Sequence, residues 1–245
     1  MTLRILSFAF LIVATSILPS NYVESGQATP QQIEQNVKDA LKGRDFRRVT
    51  ATVSATEATL SGSVPTFWAK DQAIKKVLRV DGIETVASEL ELPEGESDEN
   101  IAEDVAKVVQ RYAHYTMWDF INGQVNEGKV SLAGLVTPDR NKKDDLFERI
   151  AKIKGVKDVE NTIITLPPSS SDARIRNSIA NRLANNLHFE RIARMPNPPF
   201  HIIVHNGIVT LVGFVQTQIE FIELQQLVAQ SNDVLRVENL LQTLR

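Results

Sequence analysis

Cysteine is absent from this sequence. Its absence excludes a thiolate metal site, a cysteine nucleophile, a disulfide framework and a lipidated cysteine at a processed N-terminus. Aromatic residues are sparse, at 6% of the chain. Neither charge is in marked excess, with 27 Lys and Arg against 30 Asp and Glu in 245 residues. A net charge of −3 argues against a dedicated nucleic-acid binder, which carries a basic stripe. The extended apolar run from Ile5 to Leu18 has 14 residues, short of the roughly 20 that a bilayer span needs. What remains, 42% hydrophobic and 23% charged, is ordinary for folded protein.

That run follows the short basic Met1-Thr2-Leu3-Arg4 and precedes Gly26-Gln27-Ala28, a small-x-small pattern. Together they read as a secretory signal peptide cleaved after Ala28, which places residues 29–245 in the periplasm or outside the cell. An uncleaved N-terminal anchor is the alternative.

The rest of the chain repeats itself. Leu60-Ser61-Gly62-Ser63-Val64, Leu132-Ala133-Gly134-Leu135-Val136 and Leu211-Val212-Gly213-Phe214-Val215 share the spacing Leu-x-Gly-x-Val, the alternation of a half-buried strand. An apolar residue precedes each at matched offset (Val53, Val125, Val204), and Ala55-Thr56, Glu127-Gly128 or Asn206-Gly207 lies between. Asn-Gly between alternating runs predicts a hairpin, because both residues accept positive φ. The first repeat lacks glycine there. Downstream, Asp81-Gly82-Ile83, Lys154-Gly155-Val156 and Asn232-Asp233-Val234 lead to Val86, Val159 and Val237. These predict a loop, with Gly82 and Gly155 at a helix C′ position, before a third strand.

Helix-length segments fill the gaps: Trp68 to Arg79, Arg140 to Lys152 and Ile219 to Gln230. A helix also opens each unit, marked by Ile33/Val37/Leu41, by Ile101/Val105/Tyr112 and by Ile175/Ile179/Leu183/Leu187. Ser97-Asp98 and Ser171-Asp172 are placed to supply N-caps. The expected class is α+β: three small α-β-β-α-β sandwiches, each a three-stranded sheet packed on two helices, at residues 29–94, 97–167 and 171–245.

This pattern, with Gly155-Val156-x-x-Val159-x-Asn161 closing the second unit, resembles the BON (bacterial OsmY and nodulation) domain family in three tandem copies. The resemblance implies a non-enzymatic protein of the cell envelope that binds phospholipid or a membrane surface and supports envelope integrity or tolerance of osmotic stress. A bacterial source is implied by the resemblance alone. The alternative is a periplasmic protein–protein adaptor that uses sheet edges and an aromatic patch. Partners are therefore an anionic membrane surface or envelope proteins, with no nucleic acid and no small-molecule substrate.

No catalytic constellation is found, and no cofactor or metal is expected. His201 and His205 fall on one face of a predicted strand, which reads as exposed polar positions. The acidic pair Asp144-Asp145 reads as a solvated helix face. Candidates for lipid or partner contact are Tyr112, Tyr115 and Trp118 in one aromatic stretch, and Phe67 and Trp68 beside Lys75 and Lys76. Arg174, Arg176 and Arg182 on one helix complete the set, in a unit whose seven basic residues are all arginine. Each candidate also has a plain reading, as core packing for the aromatics and as a solvated face for the cations.

Overall fold

The computed structural model describes residues 29–195 and 197–244; the signal-peptide reading of residues 1–28 lies outside them. Local chemistry sets the first helix. Thr29 and Gln32 form a reciprocal capping box and Pro30 occupies the first helical position, so α1 runs Pro30–Ala40. The chain then pairs β1 (Val49–Ser54) with β2 (Glu57–Ser63), crosses through α2 (Phe67–Val77), and lays β3 (Thr85–Glu91) beside β2.

The second unit repeats the order with α3 (Asp98–Gln110), β4 (Phe120–Asn126), β5 (Lys129–Val136), α4 (Lys142–Ile150) and β6 (Asp158–Thr165). The third has α5 (Ser170–Ala184), a short α6 (Glu190–Ala193), β7 (Phe200–His205), β8 (Ile208–Val215), α7 (Gln218–Ala229) and β9 (Arg236–Thr243). Every sheet has the same mixed topology, an antiparallel hairpin followed by a parallel third strand against the central one. A crossover helix is what a parallel neighbour requires.

The repeating glycine of the central strand is a matter of space. Gly62, Gly134 and Gly213 have φ of 105°, 150° and 114°. A Cβ there would lie 2.0 Å from the Arg48 carbonyl oxygen, 2.0 Å from that of Phe120 and 2.5 Å from that of Pro199. The hairpin turns are two-residue in all three units, with Ala55, Glu127 and Asn206 all at positive φ; Gly128 and Gly207 follow at positive φ, whereas Thr56 of the first unit does not adopt it.

Several expectations need correction. Gly82 and Gly155 are not helix C′ residues: α2 and α4 end in right-handed caps at Leu78 and Ala151, and each glycine comes four residues later, at φ 95° and 85°. Asp233 takes that place in the third unit at φ 65°, a conformation aspartate tolerates better than most residues. The cap of α5 is Ser169, not Ser171 or Asp172, and the helix ends before Leu187, which is exposed.

Asp172 serves a different purpose. Its carboxylate accepts the N–H groups of Asn206 and Gly207, both at 3.0 Å, and fastens the β7–β8 turn to α5. Asp98 does the same for Glu127 and Gly128 in the middle unit, at 2.7 and 2.8 Å. Burial opposes the charge on Asp172, but the Gly207 and Asn206 amides, Ser169 and Arg176 together hold its carboxyl below the ordinary carboxylate value. Each unit has its own core. Two of these cores borrow from the preceding unit: Phe67 and Trp68 pack on the second, and Met117 and Trp118 on the third.

Candidate functional site

The aromatic candidates are the joints of the molecule. Phe67 and Trp68, at the start of α2, meet Phe147 of α4 edge-on with ring centroids 6.4 and 6.0 Å apart. The Trp68 N–H donates to the Ala151 carbonyl at 2.8 Å. Lys75 lies 5.2 Å over the Phe147 ring and Lys152 5.4 Å over Trp68, cation–π contacts that seal the joint. Lys76 turns back to the Phe46 ring, 5.5 Å away. The stretch that reads as a membrane footprint is thus the junction between the first and second domains.

Tyr112 is 3% exposed and its hydroxyl donates to Asp145 at 2.7 Å. Burial and that carboxylate push the hydroxyl up to about 12. Asp145 is therefore tied into the domain rather than merely solvated, and Arg140 Nε donates to the same carboxylate oxygen at 2.8 Å. The loop that follows leaves the domain. Met117 is buried in the core of the third domain, Trp118 packs against that core, and the Met117 carbonyl accepts the Ile202 N–H of β7 at 2.6 Å. The adaptor reading thereby loses Tyr115 and Trp118 as a free patch, and one edge strand is already engaged.

His201 is not an exposed strand position. Its ring lies 5.1 Å from Tyr115 and 6.0 Å from Phe120, in the joint between the second and third domains, whereas His205 stays exposed at the strand end. Among the described residues no cluster of three metal-capable side chains exists. Burial holds His201 below the ordinary imidazole value, opposed in part by the Thr116 backbone and the Asp119 charge. A lowered pKa means that the unfolded chain takes up the proton first. The joint is therefore expected at full strength above pH ~6.5 and weaker as pH falls through the folded value. Acid titration followed by Trp118 fluorescence checks this. His201→Phe removes the acid transition, and an unchanged transition in that variant would refute the assignment.

The arginines of α5 do not converge. Arg174 and Arg176 are two residues apart and diverge by about 200° around the helix. Arg174 lies 3.8 Å from the Asp233 carboxylate, Arg176 is close enough to stabilise the Asp172 charge, and Arg182 lines a separate surface depression between α5 and α7.

Cations do converge in the middle domain, on a groove of about 720 Å³ between α3 and α4. Lys107, Arg111, Arg140, Arg149, Lys152 and Lys154 face it against Asp104, Asp145 and Glu148. Four of the six are paired with carboxylates: Lys107 with Glu103 and Asp104, Arg140 with Asp145, Lys152 with Glu148, and Lys154 with Glu96. Arg149 lies 5.2 Å over the Tyr112 ring and near enough to Asp145 to stabilise its charge, and among the described residues neither it nor Arg111 makes an ion-pair contact with a carboxylate. Sequence reasoning missed this groove because its domain is the most acidic of the three. The signal was positional, with Lys107, Arg111, Arg149 and Lys152 at helical spacing on two segments that the fold makes neighbours.

Lys142 is 1% exposed, and its ammonium reaches both Asp119 oxygens (3.0 and 2.9 Å), Thr137 Oγ1 (2.7 Å) and Asp139 (2.8 Å). Asp119 also accepts the N–H groups of Thr116 and Thr137. The pair shapes the loop that carries Met117 and Trp118 into the third domain. In the repeat register Lys142 stands where Ala69 is buried in the first domain, and that alignment was the available clue.

The family model described as BON domain matches residues 29–94, 97–167 and 171–245. No curated protein matches the chain. Among solved structures, the C-terminal domain of CdsD, the structural protein of the type III secretion system of Chlamydia trachomatis, is 14% identical. That match covers 88% of this chain and 97% of that one at a TM-score of 0.24. The periplasmic domain of the type III secretion inner-membrane protein PrgH from S. typhimurium is 14% identical, covering 84% and 99%, with a TM-score of 0.20. Likenesses this weak carry no argument.

Proposed function

The chain belongs to the BON domain family three times over, and from that premise we propose that it is an envelope protein holding anionic phospholipid headgroups in the basic groove of its middle domain. BON domains are non-catalytic binding domains. The observation that carries the reading is the groove itself, where six cations converge and Arg111 and Arg149 face it without an ion-pair contact to a carboxylate among the described residues. Arginine suits a phosphate, which its planar fork meets with two parallel hydrogen bonds. Support of envelope integrity or of tolerance to osmotic stress would follow from such tethering.

A basic group near an anionic surface contributes about 1 kcal/mol, less at high salt. Arg111→Ala with Arg149→Ala is therefore expected to weaken binding to anionic vesicles by a factor of roughly 5–30. Arg174→Ala, outside the groove, leaves it unchanged. Flotation of residues 29–245 with anionic and zwitterionic vesicles at low and high salt reads this directly. Failure of the unmodified chain to float with anionic vesicles sinks the lipid reading, and equal flotation of the double variant sinks the groove.

A further inference from the structure

The joint between the first two domains is a template that recurs, unfilled, at both ends of the molecule. Trp68 is the second residue of α2 after its cap Thr66, and Ala151 is the C-cap of α4, fully buried under it. The register set by Val86, Val159 and Val237 puts Ile219 in the place of Trp68 and Leu78 in the place of Ala151. The caps give the same alignment independently: Thr217 precedes α7 as Thr66 precedes α2, and Leu78 closes α2 as Ala151 closes α4.

Neither counterpart is covered. Ile219 is 70% exposed, Leu78 44%, and Ile222, one turn beyond Ile219, 48%. Among the described residues the Ile219 N–H and the Leu78 carbonyl make no hydrogen bond, while Trp68 N–H and Ala151 C=O bond each other. Seven of the nine exposed large hydrophobic side chains belong to the third domain, Ile219 and Ile222 among them. Charge matches as well. Glu220 lies in the first turn of α7, and the exposed Arg79 follows the cap of α2.

We propose that a second copy of this chain completes the joint: Ile219 and Ile222 of α7 in one molecule dock on the Ile74–Leu78 face of α2 in the next. The interface uses a different surface on each side, so it is heterologous and builds head-to-tail assemblies that extend unless the rotation closes a ring. This rests on the in-chain joint and is independent of the groove.

The test uses two variants of residues 29–245, each blocked at one end: Ile219→Glu with Ile222→Glu, and Leu78→Glu. All three substituted positions are exposed, and melting curves verify that both variants fold. In sedimentation velocity the unmodified chain gives species that grow with concentration, and each variant alone is a monomer. An equimolar mixture of the two gives a heterodimer and nothing larger, because one sound end remains on each. A two-fold symmetric interface would not show that pattern. A monomeric unmodified chain at the highest attainable concentration overturns the proposal, as does a mixture that stays monomeric. Loss of vesicle binding in the α7 variant, with a monomeric parent, would instead assign that face to lipid.

Discussion

Replacing Lys142 with alanine is expected to destabilise the middle domain by about 3–5 kcal/mol, the cost of leaving a buried charge without its partner. Asp119 is 0% exposed, and the ammonium that neutralises it is removed in this variant. Lys142→Met separates charge from volume. Methionine refills most of the space, yet it is expected to cost nearly as much as alanine, because the loss is electrostatic. Urea unfolding of residues 29–245 measures both. A methionine variant as stable as the parent would show that Lys142 acts by packing alone.

The effect should not stay within one domain. Asp119 Oδ2 accepts the Thr116 N–H and hydroxyl, both at 2.9 Å, and so sets the turn from which Met117 and Trp118 project. Once the carboxylate is unbalanced, that turn relaxes and the third domain loses its anchor. A shift in Trp118 fluorescence at denaturant concentrations below the main transition is the expected signature.

Gly134→Ala is expected to cost on the order of 4 kcal/mol or more, at the diagnostic end of single substitutions. Two causes add. The backbone at φ 150° is one that residues with a side chain rarely adopt, and the new methyl would overlap the Phe120 carbonyl of the paired strand. Neither obstacle can move cheaply, since Phe120 and Leu135 are register partners in the hairpin. Gly123→Ala is the control. There a Cβ would meet only the Leu132 and Val105 side chains at 3.5 Å, an ordinary contact, and a change within about 1 kcal/mol is expected. Thermal unfolding of the two variants should differ widely, and similar melting curves would refute the steric account.

The elements within each domain were legible because their causes are local. A Leu-x-Gly-x-Val strand, a turn that accepts positive φ and a capped one-sided helix each carry their own chemistry in a few adjacent residues. That chemistry repeats in phase three times. Helix ends drifted by one or two residues where a right-handed cap, rather than a glycine, stops the helix, as at Leu78 and Ala151.

The candidate site was less legible for a physical reason. Trp68, Tyr115 and Trp118 are apolar surface, and apolar attraction is non-directional. Their composition therefore says that they are covered, not by what. Here the cover is the neighbouring domain. The basic groove was hidden by the reverse effect, since a domain's net charge averages over faces that the fold keeps apart.

The two joints are built from different parts, helix end on helix end at Trp68 and Ala151, loop into core at Met117 and Ile202. The domains are consequently not interchangeable beads. Excising the middle one and splicing its neighbours would face Trp68 with a helix lacking the Phe147 ring, and would strip β7 of the carbonyl that Met117 supplies. Removing the first domain is the gentler truncation, because it uncovers Phe147 and Ala151 and leaves the Lys142-shaped loop in place. Shuffling by duplication or deletion thus has a preferred direction in this architecture, with the middle domain as the keystone.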